Sequence, residues 1–514
     1  MSVTEDRKFS RADVCKLLES AKGRTLGEID SSSDTPQFLR TLKSNKITGI
    51  AGDVIEQSLF KYARDSKQEC DIEIDGQLTE LKTTGVRVLK SDMHMAHGKL
   101  GDEYNAYLSA KEGISITAVT FEPTIQKDFH TSHFWQKAER LLIVFYEYTS
   151  YDAVPASEYA NFPIVGYCFN MFSENEQKQL QSDWEIVRDY LTPIYEEYAT
   201  QNDRNERLQG FTHVIRPNLL LIELVPGFKK RSNGSYQRPR YRLKQTFVNY
   251  IVKGHFNKSR LSSGIQLKES FSSFSELDLK CHNFRMRYGG MTFAQLKDEL
   301  KIDSDVAIKN FGALCVLRMF DVNCTKLNQI SDFTKAGIIA KTVTLTPKGG
   351  RTEDMKLQRV DFEEWADRDI DFEDSAIYSF FCEHSFLCPI FCQKGDIPET
   401  IFMGFKRFHF DDDFIMGQVK RTWDDSRATI HQGKLKWEAS LDSKGNQKIN
   451  KSGSAVGAPN LPKSNNDEVF FRGAANNSSD SARTECVNGV YMLPQFFWIK
   501  GSYIVNKLSD ISFL

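Results

Sequence analysis

The 514-residue chain is long enough for two or more domains, and 40% hydrophobic with 26% charged content suits a globular protein with a sizeable core. A formal charge of -2 and a pI near 6.6 exclude a globally basic nucleic-acid binder, so any electrostatic site must be local. The sequence has no run of about 18 apolar residues for a membrane span and no apolar signal-peptide core in MSVTEDRKFSRADV; its ten cysteines form no CxxC pair and read as the free thiols of a cytoplasmic protein.

In chain order, Ser10-Arg-Ala-Asp13 has the form of a capping box, and Val14, Leu17 and Leu18 continue at helical spacing. A second helix is expected over Ala51 to Ala63, with Val54, Ile55, Leu59 and Phe60 apolar. Next comes CDIEIDGQLTELKTT, Cys70 to Thr84, with four acids and one lysine between Asp71 and Thr83. Leu141 to Tyr146 is a buried-strand signal, and Ser173 to Tyr190 reads as an amphipathic helix with Trp184 on its apolar side. Residues 229–244 hold seven Lys/Arg and no acid; Gly234 and Pro239 make the first part a loop. The pattern loosens around 254–290, where a domain junction is expected. Cys382, Cys388 and Cys392 lie in an apolar run as core thiols, without the paired spacing of structural zinc. Residues 443–467 are Ser/Asn/Gly/Pro-rich and read as a flexible insertion.

A long internal repeat runs through these elements. Thr292-Phe-Ala-Gln295 opens a helix with a capping box, as Ser10 does, and Gly312 takes the place of Gly52. Asp332 to Lys341 parallels Asp71 to Lys82, and Ser379 to Cys392 parallels His133 to Tyr146. Trp423 and Arg427 repeat the spacing of Trp184 and Arg188, and Phe497 to Tyr503 echoes Tyr241 to Phe247. Each match is weak, but their shared order argues for two copies of one fold. The expected division is 1–255, a junction at 256–285, and 286–514.

Asp75-Gly76 between alternating residues is a strong hairpin signal. A two-residue loop pairs Ile74 with Gln77, Glu73 with Leu78, Ile72 with Thr79, and brings Asp71 opposite Glu80. Lys82 then shares their face, while Ile72, Ile74 and Leu81 face the core. Facing carboxylates raise each other's pKa unless a cation intervenes, and Mg²⁺ takes carboxylate oxygens. Two readings stay open: a charged, solvated hairpin with a Glu–Lys surface pair, or a metal-dependent catalytic centre of the Asp…Glu-x-Lys nuclease pattern. Glu73 and Asp75 serve as exposed charge and turn former.

The segments Gly49-Ile-Ala-Gly-Asp-Val-Ile-Glu56, Asp71, Glu80-Leu-Lys-Thr83 and His133-Phe-Trp-Gln-Lys137 together resemble the MutH family of GATC-specific DNA endonucleases. Ser173 to Arg188, Val214-Ile-Arg-Pro217 and Tyr241-Arg-Leu-Lys244 resemble its DNA-reading half, so the likeness spans about residues 10–252. It implies a mixed-sheet α/β (α+β) restriction-endonuclease-like fold in two tandem copies, as in the Sau-three-A type of restriction enzyme. Asp71 and Glu80 would hold Mg²⁺, Lys82 would assist the attacking water, Glu56 would sit in the metal's outer shell, and Lys137 would contact the scissile phosphate. Thr48 stands where the family has a lysine, with Lys46 nearby.

In the second copy Ile339 replaces the glutamate, Val316 sits at the place of Glu56 and Glu383 at that of Lys137. That copy is expected to bind DNA without cutting it. For DNA contact the resemblance and the basic stretch nominate Arg216, Tyr241, Arg242, Lys244, Lys229, Lys230 and Arg231, with Arg472 and Lys500 at matching places of the second copy. The implied function is a Mg²⁺-dependent type II restriction endonuclease cutting duplex DNA at GATC, with the second domain as an allosteric effector site. A mismatch-repair nickase and a non-cutting DNA-binding regulator are the alternatives. The implied partners are two copies of double-stranded DNA, one per domain, and a cognate DNA methyltransferase in the same restriction-modification system. The expected partners include no membrane, and the expected form is a monomer able to pair on DNA.

Overall fold

Short β1 (Lys8–Phe9) leads into α1 (Arg11–Ala21), whose cap is the expected one: Ser10 Oγ accepts the Asp13 N–H at 3.1 Å, and Val14, Leu18 and Ala21 are buried. The structure, a computed structural model, describes residues 7–44, 47, 49–62, 69–89, 92–119, 128–150, 154–208, 214–225, 239–257, 265–351, 353–368, 370–450, 453–475 and 479–514. Its backbone gathers into two compact units. One comprises the chain up to Ser150, Val154–Asp278 and Phe320–Ile339; the other comprises Leu279–Met319 and Ala340–Leu514. The sequence suggested one junction at 256–285; the units instead divide discontinuously.

In the first unit α2 (Leu26–Asp30) starts at a Thr25–Glu28 capping box. Gly49, at φ +82°, leads α3 (Ile50–Asp53), a backbone angle that favours glycine. The expected helix then widens into a π-helical turn, Val54–Leu59, which carries Glu56. Strands β2 (Ile72–Ile74) and β3 (Gln77–Val88) form the predicted hairpin, in the predicted register Ile72–Thr79, Glu73–Leu78 and Ile74–Gln77. Asp75 at φ +48° and Gly76 at φ +79° supply its primed turn. Strand β4 (Leu108–Ala110) pairs with the far end of β3 and is followed by β5 (Ile114–Ala118). Helix α4 (His133–Ala138) leads into β6 (Leu141–Glu147), parallel to β3, and β7 (Ile164–Asn170) runs antiparallel to β6. The main sheet is therefore ordered β1-β2-β3-β6-β7. Ile72, Ile74, Leu81, Leu142 and Val144 bury one face of it against α1, α2 and the π-turn. Helix α5 (Glu174–Glu197) follows, capped by Ser173. Strands β8 (Ile222–Val225) and β9 (Arg240–Leu243) join β5 in a second antiparallel sheet, ordered β5-β9-β8, which feeds α6 (Gln245–Phe256).

The second unit repeats these elements. Helix α7 (Phe274–Tyr288), which belongs to this unit from Leu279 on, precedes α8 (Phe293–Glu299), which starts at a Thr292–Gln295 capping box, and α9 (Phe311–Met319). Strands β10 (Val343–Leu345) and β11 (Met355–Arg359) come next, then α10 (Ala376–Glu383), β12 (Ser385–Cys392) and β13 (Ile401–Phe408). Helix α11 (Lys420–His431), β14 (Val469–Gly473), β15 (Gln495–Ile499) and α12 (Gly501–Ser509) complete it. Strand β10 runs parallel and β13 antiparallel to β12, as β3 and β7 do around β6. The β11-β15-β14 sheet matches β5-β9-β8 and likewise runs into a helix.

Hydrogen bonds repeat in detail. Gly23, Leu26 and Ile164 exchange backbone bonds with Ile164, Phe162 and Arg24; Gly290, Phe293 and Phe402 do so with Phe402, Thr400 and Met291. Thr292 is thus the counterpart of Thr25, not of Ser10. The Arg188 guanidinium lies 5.2 Å from the Trp184 ring, and Arg427 lies 4.1 Å from Trp423, so that sequence match reflects one shared contact.

Three expectations need correction. Asp332 lies in a helix, Ser331–Lys335, within the first unit, where its carboxylate accepts the Leu267 N–H and the Ser270 hydroxyl; it is not part of a second acidic hairpin. Residues 443–467 are not a loose insertion over their described part. Trp437–Ala439 pairs with Gly457–Pro459, and Lys448 exchanges backbone bonds with Ser440 and Val456. The residue at the place of Lys137 is Cys382 rather than Glu383. The bulge pairs Phe145–Gly166 and Ile390–Gly404 align the two strands, and the helices end one residue later at Ala138 and Glu383.

Candidate active site

Glu80 is the centre of the first unit's polar cluster. It sits on β3 where that strand enters the sheet, is 1% exposed, and its N–H bonds to the Arg140 carbonyl at the start of β6. Lys82, two residues on and so on the same face, donates to Glu80 Oε1 at 2.7 Å. Lys137, on the last turn of α4, donates to Oε1 at 3.1 Å and Oε2 at 2.9 Å. Asp71 lies one residue before β2, and its Oδ2 accepts the Leu81 N–H at 2.9 Å, which holds it across from Glu80. The sequence-derived site residues Glu56, Asp71, Glu80, Lys82 and Lys137 therefore come together, four of them through direct bonds or adjacent backbone.

The electrostatics follow from that crowding. Burial, then the charges of Asp71 and Asp53, push the Glu56 carboxyl up to about 7. Burial, then Glu80, raise Asp71 as well, against the pull of Lys82, Lys137 and the Leu81 N–H. Burial alone would lower Lys137, but the charge and hydrogen bond of Glu80 outweigh it and leave the ammonium above its ordinary range. The Cys70 thiol, pushed up to about 11 by burial and then Glu80, stays protonated and donates to the Gln136 carbonyl.

Tyr62 is a member of this cluster that sequence reasoning missed. Its hydroxyl is buried with no partner among the described residues, and burial, then Glu56 and Asp71, hold the phenol protonated. A lone tyrosine six residues past Glu56 gives no periodic signal, because the widened turn breaks the helical spacing.

These residues fit a hard divalent cation. Asp71 Oδ1 and both Glu56 oxygens receive no hydrogen bond among the described residues, although both acids are half-buried and repel each other. Among the described residues no three His, Cys, Asp or Glu side chains converge as a metal cage. Asp71 and the facing Glu80, whose oxygens accept from Lys82 and Lys137 here, make the pair of carboxylates that magnesium completes with water and a substrate phosphate, with the open Glu56 oxygens beside them.

Residues 60–183 match the family described as DNA mismatch repair enzyme MutH, a span that holds Asp71, Glu80, Lys82 and Lys137. The chain carries a MutH-family domain. Glu56 lies four residues before the matched span of that domain. Over 533 aligned residues, covering 98% of this chain and 99% of the relative, the sequence is 23% identical to the type II restriction enzyme Sau3AI of Staphylococcus aureus. The similarity thus extends beyond the MutH-family domain through the second unit.

The residues nominated for DNA contact divide. Arg242 pairs with Glu223 across β8 and β9, Nε to Oε1 at 2.6 Å. Arg216 is half-buried in a 3-10 turn, Arg216–Asn218. Arg472 bonds Asp354 at 2.7 Å beside the Trp498 ring, and Lys500 stands at the N-cap position of α12 without a side-chain capping bond. Lys229, Lys230 and Arg231 lie outside the described residues, as do Lys46 and Thr48.

Tyr241 and Lys244 are corrections, since each is 2% exposed. Tyr241 alternates inward on β9 and packs on Phe134. The Lys244 ammonium turns in to the Leu219 carbonyl and offsets Asp183, which burial raises to about 6 although it accepts the N–H groups of Leu220, Leu221 and Ile222. Lys244→Met is accordingly expected to destabilise the protein by about 1–3 kcal/mol in urea unfolding. An unchanged midpoint with weakened DNA binding would instead mark a groove-facing lysine.

Proposed function

We propose that the protein is a Mg²⁺-dependent type II restriction endonuclease that hydrolyses phosphodiester bonds of double-stranded DNA at GATC, and that its second unit is a degenerate MutH-like domain binding DNA as an effector. The observation that carries this reading is one buried glutamate, Glu80, shared by Lys82 and Lys137 and faced by Asp71, inside the segment that matches MutH. GATC rests on the sequence resemblance to that family; the restriction reading rests on similarity to Sau3AI over the whole chain.

A divalent cation held by Asp71 and Glu80 would supply charge neutralisation and a bound water of lowered pKa. The residues of the chain do the rest. Lys137 and Lys82 present ammonium groups to a non-bridging phosphate oxygen and to the developing negative charge. Glu80 orients both ammonium groups through its hydrogen bonds to Lys82 and Lys137. Glu56, with its carboxyl near 7, holds or releases a proton at neutral pH at the edge of the acids. In the second copy of the repeat Ile339 stands two residues before Lys341, where Glu80 precedes Lys82, and Val316, buried on α9, stands at the place of Glu56, so these two acids are missing there.

Incubation of the purified protein with a plasmid carrying several GATC sites, in Mg²⁺ or in EDTA, tests the reading. Linear fragments only with Mg²⁺ are expected. Nicked circles would indicate a nickase, and a gel shift without cleavage a regulator.

A further inference from the structure

The second unit carries a cluster of positive charge at the place where the first unit carries its acids. Val343 pairs with Ile390 as Thr84 pairs with Phe145, and Ile390 and Phe145 are the bulge residues of their strands. Lys341, two residues before Val343, therefore occupies the position of Lys82. In the first unit Lys82 and Lys137 share Glu80. In the second, Lys341 has no acidic partner among the described residues, and the charges that act on it most are those of two more cations, Lys356 and Arg351.

Among the described residues none of these three side chains makes a hydrogen bond or ion pair with an acid. Arg351 Nη1 is buried with no hydrogen-bond partner among the described residues. Its Cγ passes 3.7 Å from where a Cβ on Gly501 would stand, at the first turn of α12. Lys356, on β11, lies over the Phe496 ring at 3.5 Å. Two acids act on Arg351 from a distance, Glu353 and then Asp354; Glu353 is exposed and makes no ion pair with it among the described residues, and Asp354 is already taken by Arg472 and the Gly501 N–H. Arg351 also lines an open cleft of about 620 Å³ with Lys309, Lys394, three threonines (Thr342, Thr344 and Thr346) and one acid, Glu353. Burial, then Lys356 and Arg351, hold the Lys341 ammonium below its ordinary range, and burial lowers Arg351 too. Unpaired, partly desolvated cations are costly alone and become favourable once an anion is bound.

We propose that Lys341, Arg351 and Lys356 form a metal-independent oxyanion site for a phosphate group, supplied either by the DNA backbone or as free phosphate. The DNA form of the proposal rests on the effector reading above; the oxyanion site itself does not. Where the first unit sets Lys82 against the carboxylate of Glu80, the second sets Lys341 beside further positive charge.

The test uses the full-length protein in EDTA. In the first arm, thermal unfolding is followed with sodium phosphate or sodium chloride at matched ionic strength, for wild type, Lys341→Met and Arg351→Gln. Phosphate is expected to raise the wild-type midpoint, and each variant to lose most of that rise. In chloride each variant should melt no lower than wild type, because an unpaired cation has been removed, which also reports that it folds. In the second arm, a non-cleaved GATC duplex is titrated calorimetrically. Two duplexes per wild-type chain are expected, with the second binding roughly tenfold weaker in each variant and the first unchanged. Loss of the phosphate effect with unaltered duplex binding would keep the oxyanion site, assign it to free phosphate and sink the effector reading. A wild type that phosphate does not stabilise, or variants that respond equally, would overturn the site.

Discussion

Glu80→Ala is expected to destabilise the protein by about 3–5 kcal/mol at pH 7, besides abolishing cleavage. Glu80 is 1% exposed and is the acceptor for both Lys82 and Lys137, whose side chains are themselves only 21% and 12% exposed. Its removal leaves two poorly solvated ammonium groups beside each other, so the cost is mostly that of unpaired charge rather than of a lost contact. Two results follow. Adding Lys137→Met to Glu80→Ala should recover a large part of the loss, because the second change removes one of the stranded charges. The Lys137 pKa should also fall in the single variant, since Glu80 supplies the largest influences that oppose the lowering by burial, ahead of Asp71 and Cys70. Urea unfolding of the single and double variants measures the coupling. A single-variant loss below about 1 kcal/mol would match an exposed surface pair instead.

Glu56→Gln should act in the opposite direction. Its carboxyl rises to about 7 in the folded protein from an ordinary 4.5. Between those values the folded state holds a proton that the unfolded chain has released, so this contribution to stability is full below about 4.5 and is lost as pH rises through 7. The substitution removes that loss. In EDTA it is therefore expected to leave stability unchanged near pH 4 and to raise it by about 3 kcal/mol at pH 8. Asp71 shifts the same way and adds to the wild-type slope. Mg²⁺ should shrink the difference at pH 8, because a cation offsets the same repulsion. An equal effect at both pH values would show that the charge on Glu56 is not what matters.

The hairpin was legible because few residues determine it. A two-residue Asp-Gly loop leaves one register, and the alternation of Ile72, Ile74 and Leu81 then decides which side of the sheet carries Glu80 and Lys82. The contribution of Lys137 came from the family resemblance, since nothing local in α4 reveals that its ammonium reaches Glu80. The DNA-facing list was less legible. Arg240 to Leu243 has the period-two pattern that places Tyr241 inside, so that signal was present. Lys244 was not readable, because its partners, Leu219 and Asp183, are far away in the chain. Equally hidden was Glu223 beneath Arg242.

The repeat shows the same division. Its order, its capping boxes and its Trp–Arg pairs could be seen in the sequence. The alignment slipped where loop lengths differ, at Thr292 and at Cys382. Asp332 gave a false match because its spacing to Lys341 resembles Asp71 to Lys82, while its backbone is helical. Strand register, through the bulges at Gly166 and Gly404, is what relates Lys341 to Lys82.

The central claim is that the hairpin cluster around Asp71 and Glu80 is the cutting site. Single-turnover cleavage of a GATC duplex by Asp71→Asn, with Mg²⁺ and both strands followed, tests it most directly. The account predicts wild-type duplex binding in EDTA, an unaltered fold, and a cleavage rate lowered by roughly 10²–10³-fold or more on each strand. Cleavage of either strand at the wild-type rate would contradict it.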